Sequence, residues 1–375
     1  MIKRVVNIKK EIKKGKVLII YGSRQVGKTT LIQDFLSKTK LKYKLVSGDD
    51  LQISSELSEC TMTSTKNFVG NYDLIAIDEA QKIQNIGLAL KLMVDNYPNK
   101  YFIATGSSSF DLASKTAESL TGRKIVIELF TISQEELANN LSRSELIGDL
   151  ESYLIYGSFP EVIKQSNYFE KEKVIKQITN SYLLKDILSF EGLKNANLIL
   201  NILKLLALQI GSEVSIKEIA SNVGVDSKTV RKYLELLEKS FVIFSLTGFS
   251  RNLRKEIAKM PKYYFYDTGV RNALISNFNK IQDRNDIGQL WENFLMIERM
   301  KKNSYTHFST NYYFWRTYDQ KEIDLIEENS GKLFGFEFKW KEKKTKPPKI
   351  WLDTYENATF KVVNKENYLD FVTTN

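Results

Sequence analysis

The chain has 375 residues, more than a single hydrophobic core usually serves, so two or three domains are expected. Hydrophobic residues make up 42% of the sequence and charged residues 27%, which is typical of a globular protein and excludes a disordered or fibrous chain. The net charge of +10 permits a polyanionic partner, and the single cysteine, Cys60, excludes a disulfide framework and a cysteine-based metal site within the chain.

Two segments bear on secretion and membranes. The basic N-terminal stretch lacks the apolar segment and the small-residue cleavage site of a secretory signal. The longest apolar run, Leu198 to Ile210, is interrupted by polar residues and is too short to span a bilayer, so it predicts a buried helix. We therefore expect a cytoplasmic protein with no membrane partner.

The first motif is YGSRQVGKTTL, in which Gly22 to Thr29 fit the phosphate-loop pattern G-x-x-x-x-G-K-S/T. VLII before the loop predicts a parallel strand and TTLIQDFLSK after it predicts a helix, the setting that such a loop requires. Loop N–H groups would surround the phosphates of ATP, Lys28 would reach the β and γ phosphates, and Thr29 would hold Mg²⁺. The alternative is a plain glycine turn. The predicted nucleotide-binding residues of the loop are Gly22, Ser23, Arg24, Gln25, Val26, Gly27, Lys28, Thr29 and Thr30.

The segment YDLIAIDEAQ predicts a second buried strand, which ends in Asp78 and Glu79. In a parallel α/β sheet, these carboxylates would lie at the same edge as the phosphate loop. Asp78 would complete the Mg²⁺ shell, and Glu79 would orient and deprotonate the attacking water. A surface cap is the alternative role for this acidic pair.

The segments that follow predict two more strands and two further catalytic candidates. KYFIATGSSS ends in small polar residues, of which Thr105 or Ser107 would contact the γ phosphate or the water. In SLTGRKIVIEL, Arg123 precedes a strand and would stabilise charge in the transition state, in its own subunit or from a neighbour in an oligomer. A structural salt bridge is the alternative for Arg123.

Taken in order, these segments resemble a family of archaeal and bacterial AAA+ ATPases close to the STAND group. The resemblance continues through LFTISQEE and YLIYGSFPEVI into YYFYDTGVRNAL, WENFLMIE, FWRTYDQKEIDLI and LFGFEFK, which look like that family's C-terminal domain of unknown function. It covers nearly the whole chain. It implies a helical lid in which Pro160 approaches the adenine, with Ser158 standing where relatives usually carry a glycine.

The middle of the chain predicts a winged helix-turn-helix. Ser215 and Glu218 form a capping-box pattern, Gly224 marks a turn, and a second helix begins near Asp226 or Ser227. The strand-like segments FVIFSL and KYYFYD would form the wing. In a DNA-binding protein the start of the second helix enters the major groove, whereas winged helices of related ATPases also serve as lids or protein-contact modules. The candidate DNA contacts are Lys228, Thr229, Arg231 and Lys232 on the helix, and Arg251, Arg254, Lys255 and Lys259 in the wing.

The C-terminal segment predicts a helix over Asn285 to Lys302, followed by the strands YYFWRT, EIDLIEE and LFGFEFKW. Its ordered residues Glu292, Asp324, Glu337 and Lys339 resemble the PD-(D/E)XK nuclease core. In that core an acidic pair, here Asp324 and Glu337, holds Mg²⁺ and the lysine positions the water. Strand alternation places Glu337 and Lys339 on one face. A degenerate nuclease fold used only for binding is the alternative.

The predicted fold class is α/β, with an AAA+-type P-loop core over residues 1–150, a helical lid over 151–211, a winged helix over 212–280 and a PD-(D/E)XK nuclease-like domain over 281–375. The predicted function is an ATPase that uses ATP and Mg²⁺ and acts on or near DNA. One alternative is a nucleotide-controlled signalling switch that binds a protein partner or its own copies, and another is an ATP-regulated nuclease.

Overall fold

The structure is a computed structural model that describes residues 2–107, 120–188, 195–250, 260–317, 319–342 and 345–374, and of residues 181–188 the backbone alone. The chain divides into two compact units. The first unit consists of residues 4–131 together with 239–241, and the second unit is the remainder. Within the described ranges, no helix has both the length and the apolar character needed to cross a membrane.

The first unit contains a five-stranded, fully parallel sheet with the order β2-β3-β4-β1-β5. Its strands are β1 (Val17–Tyr21), β2 (Tyr43–Ser47), β3 (Leu74–Asp78), β4 (Tyr101–Gly106) and β5 (Lys124–Glu128). Its helices are α1 (Ile8–Glu11), α2 (Lys28–Lys38), α3 (Leu51–Ser58), α4 (Met62–Val69) and α5 (Ile86–Asn96).

The central strands of this sheet are buried on both faces, which explains why their sequences are continuous apolar runs. Residues 17–20 of β1 and 74–77 of β3 are each no more than 1% exposed. The prediction of a parallel α/β core is therefore confirmed. The edge strand β2 was not predicted, because its residues are partly exposed and include Tyr43, Lys44 and Ser47, so it presents no apolar run.

The second unit contains a six-stranded mixed sheet with the order β11-β10-β9-β8-β6-β7. Its strands are β6 (Ile243–Gly248), β7 (Lys262–Phe265), β8 (Asn311–Arg316), β9 (Glu322–Asn329), β10 (Lys332–Phe338) and β11 (Ala358–Val363). Its helices are α6 (Gln134–Ala138), α7 (Arg143–Gly148), α8 (Leu150–Tyr156), α9 (Pro160–Ile163), α10 (Tyr168–Leu188), α11 (Ala196–Leu208), α12 (Ile216–Val223), α13 (Ser227–Lys239), α14 (Thr268–Leu274), α15 (Ile287–Tyr305), α16 (Lys349–Thr354) and α17 (Tyr368–Val372).

This sheet joins two segments that the sequence suggested as separate domains. β6 and β7 form an antiparallel pair, and the end of β6 then pairs in parallel with β8, with Thr247 opposite Tyr313. The sheet therefore crosses the predicted boundary at residue 280. The main segment of the first unit also ends at Thr131, before the predicted end of the core at residue 150.

The helices α12 and α13 lie where the helix-turn-helix was predicted. The Ser215 hydroxyl accepts the N–H of Glu218 at the start of α12, and Gly224 adopts a left-handed φ of +71° in the turn. The predicted apolar face of α13 is buried, with Val230 and Leu237 fully enclosed. The apolar run from Leu198 forms α11, a helix that buries one face, whereas Asn201, Lys204 and Leu208 are exposed.

The helix α15, which lies where a helix was predicted over Asn285 to Lys302, buries polar as well as apolar side chains. Asn293 is enclosed, and its amide group donates to the carbonyl of Phe265 and accepts the N–H of the same residue, each at 2.8 Å. Glu298 is enclosed too and accepts both the N–H of Gln134 and a hydrogen bond from Lys301, each at 2.7 Å. Hydrogen bonding to other elements thus allows this helix to be buried on most sides.

A buried carboxylate ties the turn after α8 to the start of α14. Asp267 accepts the N–H of Ser158 at 2.8 Å and the N–H of Gly269 at 2.9 Å. The contact is so close that a Cβ atom on Gly157 would lie 1.9 Å from the Asp267 carboxylate. In the same region the Asn272 amide donates to the carbonyl of Ile155 at 2.8 Å. These contacts hold the turn at residues 157–158 against α14.

We expect Asp267 to make stability depend on pH. Burial raises the pKa of Asp267 from 3.8 to about 6 in the folded protein. The proton is therefore bound more tightly in the folded state, so the contribution of Asp267 to stability is complete below about pH 4 and is lost as the pH rises through 6. A rise of about two pKa units corresponds to at most about 3 kcal/mol.

The measurement is urea unfolding between pH 4 and pH 7 of the wild type and of Asp267→Asn. Relative to the variant, the wild type should lose free energy of unfolding across this range. The exposed Asp353→Asn serves as the matched control and should follow the wild type. If the free energy of unfolding changed equally with pH in the wild type and in Asp267→Asn, the assigned pKa would be contradicted.

Candidate functional site

The loop between β1 and α2 lies at the carboxyl edge of the parallel sheet. Gly22 opens the loop beside Leu129, and a Cβ atom on Gly22 would lie only 2.0 Å from the Leu129 carbonyl oxygen. Gly27 closes the loop with a φ of +98°, which glycine adopts without strain. Both positions therefore require glycine, and the loop delivers the chain directly into the N-terminus of α2.

Lys28, the first residue of α2, is held inside the loop. Its side chain is buried, and its ammonium group donates to the carbonyl oxygens of Gly22 and Ser23, each at 2.8 Å. The first N–H groups of a helix have no acceptor within the helix and carry partial positive charge. The loop thus combines a buried ammonium with a helix N-terminus, an arrangement that suits a bound polyphosphate.

Asp78, at the end of β3, receives hydrogen bonds from two hydroxyl groups. The Thr29 hydroxyl donates to one carboxylate oxygen at 2.7 Å, and the Thr105 hydroxyl on β4 donates to the other. Thr29 and Asp78 therefore converge at the loop. A hydroxyl and a carboxylate are oxygen ligands of the kind that a hard cation prefers, so these residues fit Mg²⁺.

Glu79 follows directly and has an unusual backbone conformation. Its φ of +49° is in the left-handed region, which costs a residue other than glycine about 1–3 kcal/mol and is concentrated at functional sites. Its carboxylate accepts the amide of Gln81 at 2.7 Å, and the same amide nitrogen lies 3.0 Å from the Ser107 hydroxyl oxygen. Gln81 thus links the two predicted catalytic residues, a role that the sequence analysis did not assign.

Arg4 is a second residue that the sequence analysis missed. Its guanidinium group donates to the carbonyl of Val26 in the loop at 2.8 Å and to the carbonyl of Phe130 at 2.7 Å. It therefore ties the loop to the chain that follows β5. No motif marks Arg4, because it lies among other basic residues well before the loop in the sequence.

The structure places Arg123 away from this site. Arg123 immediately precedes β5, and its carbonyl accepts the N–H of Val17 at 2.9 Å at the amino edge of the sheet. Its side chain forms a half-exposed ion pair with Asp95 at 2.6 Å. The Lys28 site is at the opposite edge, so the geometry gives no support to a role of Arg123 within its own subunit. A role towards a neighbouring subunit stays a prediction.

A second group of charged side chains lies in the second unit. It brings together the nuclease-like residues of the sequence analysis: Glu292 on α15, Asp324 on β9, Glu337 on β10 and Lys339 just beyond it. Asp324 accepts the N–H of Phe338 at 2.7 Å, and Lys339 donates to Glu337 at 2.5 Å. Burial, with the carboxylates of Glu292 and Glu337, raises the pKa of Asp324 well above its usual range.

Lys262 on β7 joins this group although no motif indicates it. Its ammonium group lies 3.5 Å from the Glu292 carboxylate and donates to Glu322, and Tyr264 donates its hydroxyl to Glu292. Burial alone would lower the pKa of Lys262, but the carboxylates of Glu292 and Glu322 raise it above its usual range. Among the residues that the structure describes, no three histidine, cysteine or carboxylate side chains are arranged to hold a metal ion.

The remaining predicted residues lie on exposed or undescribed segments. Lys228, Arg231 and Lys232 are exposed on α13, whereas Asp226 caps that helix by accepting the N–H and the hydroxyl of Thr229, each at 2.8 Å. Pro160 begins α9, and its contact with adenine stays a prediction. The wing residues Arg251, Arg254, Lys255 and Lys259 lie outside the described residues.

Comparisons with known proteins support an ATPase core. Residues 14–138 match the family described as AAA domain, residues 147–281 match a domain of unknown function (DUF8612), and residues 287–367 match another (DUF4143). The first of these matches supports a nucleotide-binding ATPase of the AAA+ type and covers the phosphate loop, Asp78 and Glu79.

Relatives occur in bacteria and archaea. An uncharacterized protein of Mycobacterium tuberculosis is 28% identical over 337 residues, which cover 88% of this chain and 72% of that protein. An uncharacterized protein of Methanocaldococcus jannaschii is 24% identical over 349 residues, which cover 87% of this chain and 76% of that protein. Among solved structures, a STAND protein with a tetratricopeptide repeat sensor from Pyrococcus horikoshii has a TM-score of 0.27 and 14% identity, covering 77% of this chain and 43% of that one.

We expect Arg4→Met to weaken nucleotide binding about tenfold, a loss of about 1.4 kcal/mol. The variant removes two hydrogen bonds from a charged group, each worth about 1.5–3 kcal/mol, and part of this loss should appear as a less ordered loop. Calorimetric titration with ADP measures the effect. Lys38→Met, at the exposed far end of α2, is the matched control and should bind as the wild type does. If Arg4→Met and the control bound ADP with equal affinity, the hydrogen bonds of Arg4 would not be what orders the loop.

Proposed function

We propose that this protein binds ATP with Mg²⁺ and hydrolyses it to ADP and phosphate. The observation that carries the proposal is the convergence of Lys28, Thr29, Asp78 and the Glu79–Gln81–Ser107 chain at the carboxyl edge of one parallel sheet. These residues come from three different strand ends. Phosphoryl transfer depends mainly on positioning and on charge stabilisation, which such a convergence supplies.

Each residue has a part in binding. The loop N–H groups and the N-terminus of α2 would take the phosphates, and the Lys28 ammonium would exchange its two loop carbonyls for phosphate oxygens. Thr29 and Asp78 would hold Mg²⁺. When bound, the ion neutralises the charge on the β and γ phosphates.

Glu79 is the residue placed to activate water. Its carboxylate would take a proton from the attacking water while the water oxygen bonds to the γ phosphorus and the bond to the β–γ bridging oxygen breaks. Gln81 positions that carboxylate through its amide and is itself positioned beside Ser107. Ser107 is therefore available to orient the water or the γ phosphate.

Two substitutions test the proposal. Lys28→Ala should abolish ATP binding, because the buried ammonium is the main cation of the loop. Glu79→Gln should bind ATP within about threefold of the wild type yet lose at least about 100-fold in kcat, since only the base is removed. Binding is measured by titration and turnover by phosphate release. Lys38→Ala and Glu59→Gln, both exposed, are the controls. Wild-type turnover in Glu79→Gln would refute its role.

DNA is the partner that we propose for the second unit. The support is the row of exposed cations on α13, namely Lys228, Arg231 and Lys232, together with the net charge of +10. Their position near the start of the second helix of a helix pair is where a helix-turn-helix contacts the major groove. The competing function is a nucleotide-controlled switch that binds a protein, which the same exposed helix would also serve.

Salt dependence separates these functions. The triple variant with alanine at Lys228, Arg231 and Lys232 should bind duplex DNA at least about tenfold more weakly at 50 mM salt, with a smaller slope of log K against log salt, because fewer phosphate contacts release fewer counterions. The control carries alanine at Lys9, Lys10 and Lys13, which are exposed on the first unit. Both triple variants lose three positive charges, so their net charge is equal. Equal losses in both variants would show nonspecific attraction only, and absence of binding would favour the protein-binding switch.

Metal-dependent DNA cleavage is a second candidate activity. It has in its favour the gathering of Asp324, Glu337 and Lys339 beside Glu292. Here Asp324 and Glu337 would hold the ion and Lys339 would position the water. Cleavage abolished by Asp324→Ala, with ATP hydrolysis retained, would establish this activity.

A further inference from the structure

The acidic cluster of the second unit, defined here as Glu292, Glu322, Asp324 and Glu337, contains a cation supplied by the chain itself. We propose that the ammonium group of Lys262 is the resident cation of this cluster and that it excludes a divalent ion while it is in place. The proposal goes beyond ATP hydrolysis, which concerns the first unit. It bears on the second candidate activity, because a site closed in this way cannot bind the ion that cleavage requires.

The position of Lys262 is the first argument. Its side chain is only 3% exposed, whereas the carboxylate partners Glu292 and Glu322 are 13% and 29% exposed. A buried ammonium group is costly unless oxygen atoms replace its lost water. Lys262 is therefore held by the cluster rather than lying beside it as a mobile surface group. Its ring contact supports this, since the ammonium lies 5.2 Å from the centre of the Phe314 ring.

The occupation of the carboxylate oxygens is the second argument. One oxygen of Glu292 receives both the Lys262 ammonium and the Tyr264 hydroxyl. One oxygen of Glu337 is taken by Lys339, and one oxygen of Asp324 by the N–H of Phe338. An oxygen that accepts a hydrogen bond from an ammonium group is not free to coordinate a metal ion in the same direction. A divalent ion placed between these carboxylates would also be repelled by Lys262 and Lys339.

The third argument concerns one carboxylate oxygen of the cluster that lacks a hydrogen-bond donor. The second carboxylate oxygen of Glu337 is buried and has no hydrogen-bond partner among the described residues. A buried acceptor without a donor is unfavourable, so it would gain from a cation. With Lys262 removed, Glu292 and Asp324 would lose the positive charge on β7 that favours their ionised forms, and a divalent ion would supply that charge instead. The cluster should then accept a hard divalent ion.

The experiment counts bound Mn²⁺ by electron paramagnetic resonance in the full chain without nucleotide. All proteins carry Thr29→Ala and Asp78→Ala, which remove the proposed metal ligands of the first unit, so failure of the ATPase proposal does not affect the result. The first comparison is between this protein and the same protein with Asp324→Asn. Both should bind equally little Mn²⁺, because Lys262 fills the cluster in each.

The second comparison adds Lys262→Met, which keeps the length of the side chain and removes its charge. This variant should bind one Mn²⁺ with at least about tenfold higher affinity than the protein that retains Lys262, a difference of about 1.4 kcal/mol. Adding Asp324→Asn should abolish the gain. Lys262→Gln, which retains a donor for Glu292, provides the same test if the methionine variant does not fold. A structural role of Lys262 alone would lower stability without creating a cation site.

Two results would overturn the proposal. The first is an Mn²⁺ bound in the protein that retains Lys262 and lost with Asp324→Asn, which would show that the ion and the ammonium coexist. The second is a folded Lys262→Met or Lys262→Gln variant that gains no ion. The first comparison involves no change at Lys262, so it remains decisive whatever the stability of the Lys262 variants.

Discussion

A buried ammonium group has to be surrounded by oxygen atoms, and this requirement organises the charged site of each unit. In the first unit Lys28 has the carbonyls of its own loop as acceptors. In the second unit Lys262 has carboxylates from helix α15 and from strand β9. The difference has a chemical consequence. Carbonyl oxygens are neutral and can give way to a phosphate, whereas carboxylates neutralise the lysine and hold it.

The first site depends on the geometry of a parallel sheet. Strands that run in the same direction end at the same edge of the sheet. The loop after β1, the acidic pair after β3 and the small hydroxyl residues at the end of β4 therefore meet there, although they are far apart in the sequence. Close packing then refines the positions. Gly22 allows the loop to pass against Leu129, and Gly48 passes so close to Glu79 that a Cβ atom would lie 2.4 Å from its carbonyl oxygen.

In the second unit, strand pairing joins the segment predicted as a winged helix to the segment predicted as a nuclease-like domain. β6 and β7 were predicted as a wing, yet β6 also pairs with β8 and so extends the sheet that carries Asp324 and Glu337. Lys262 reaches the acidic cluster for this reason. Hydrogen bonds of Asp267 and Asn272 tie α8 and its following turn to the same unit.

The sequence by itself determined the parallel core, the phosphate loop, the acidic pair after β3 and the helix α11, because apolar runs and short motifs depend on neighbours in the chain. It also indicated that Glu292, Asp324, Glu337 and Lys339 belong together, through a resemblance. Only the tertiary structure revealed Arg4, Gln81 and Lys262, which act through atoms far away in sequence or through side-chain contacts that no spacing rule describes. It likewise decided that Arg123 stands at the amino edge of the sheet, since a residue before a strand and a residue after one lie at opposite edges.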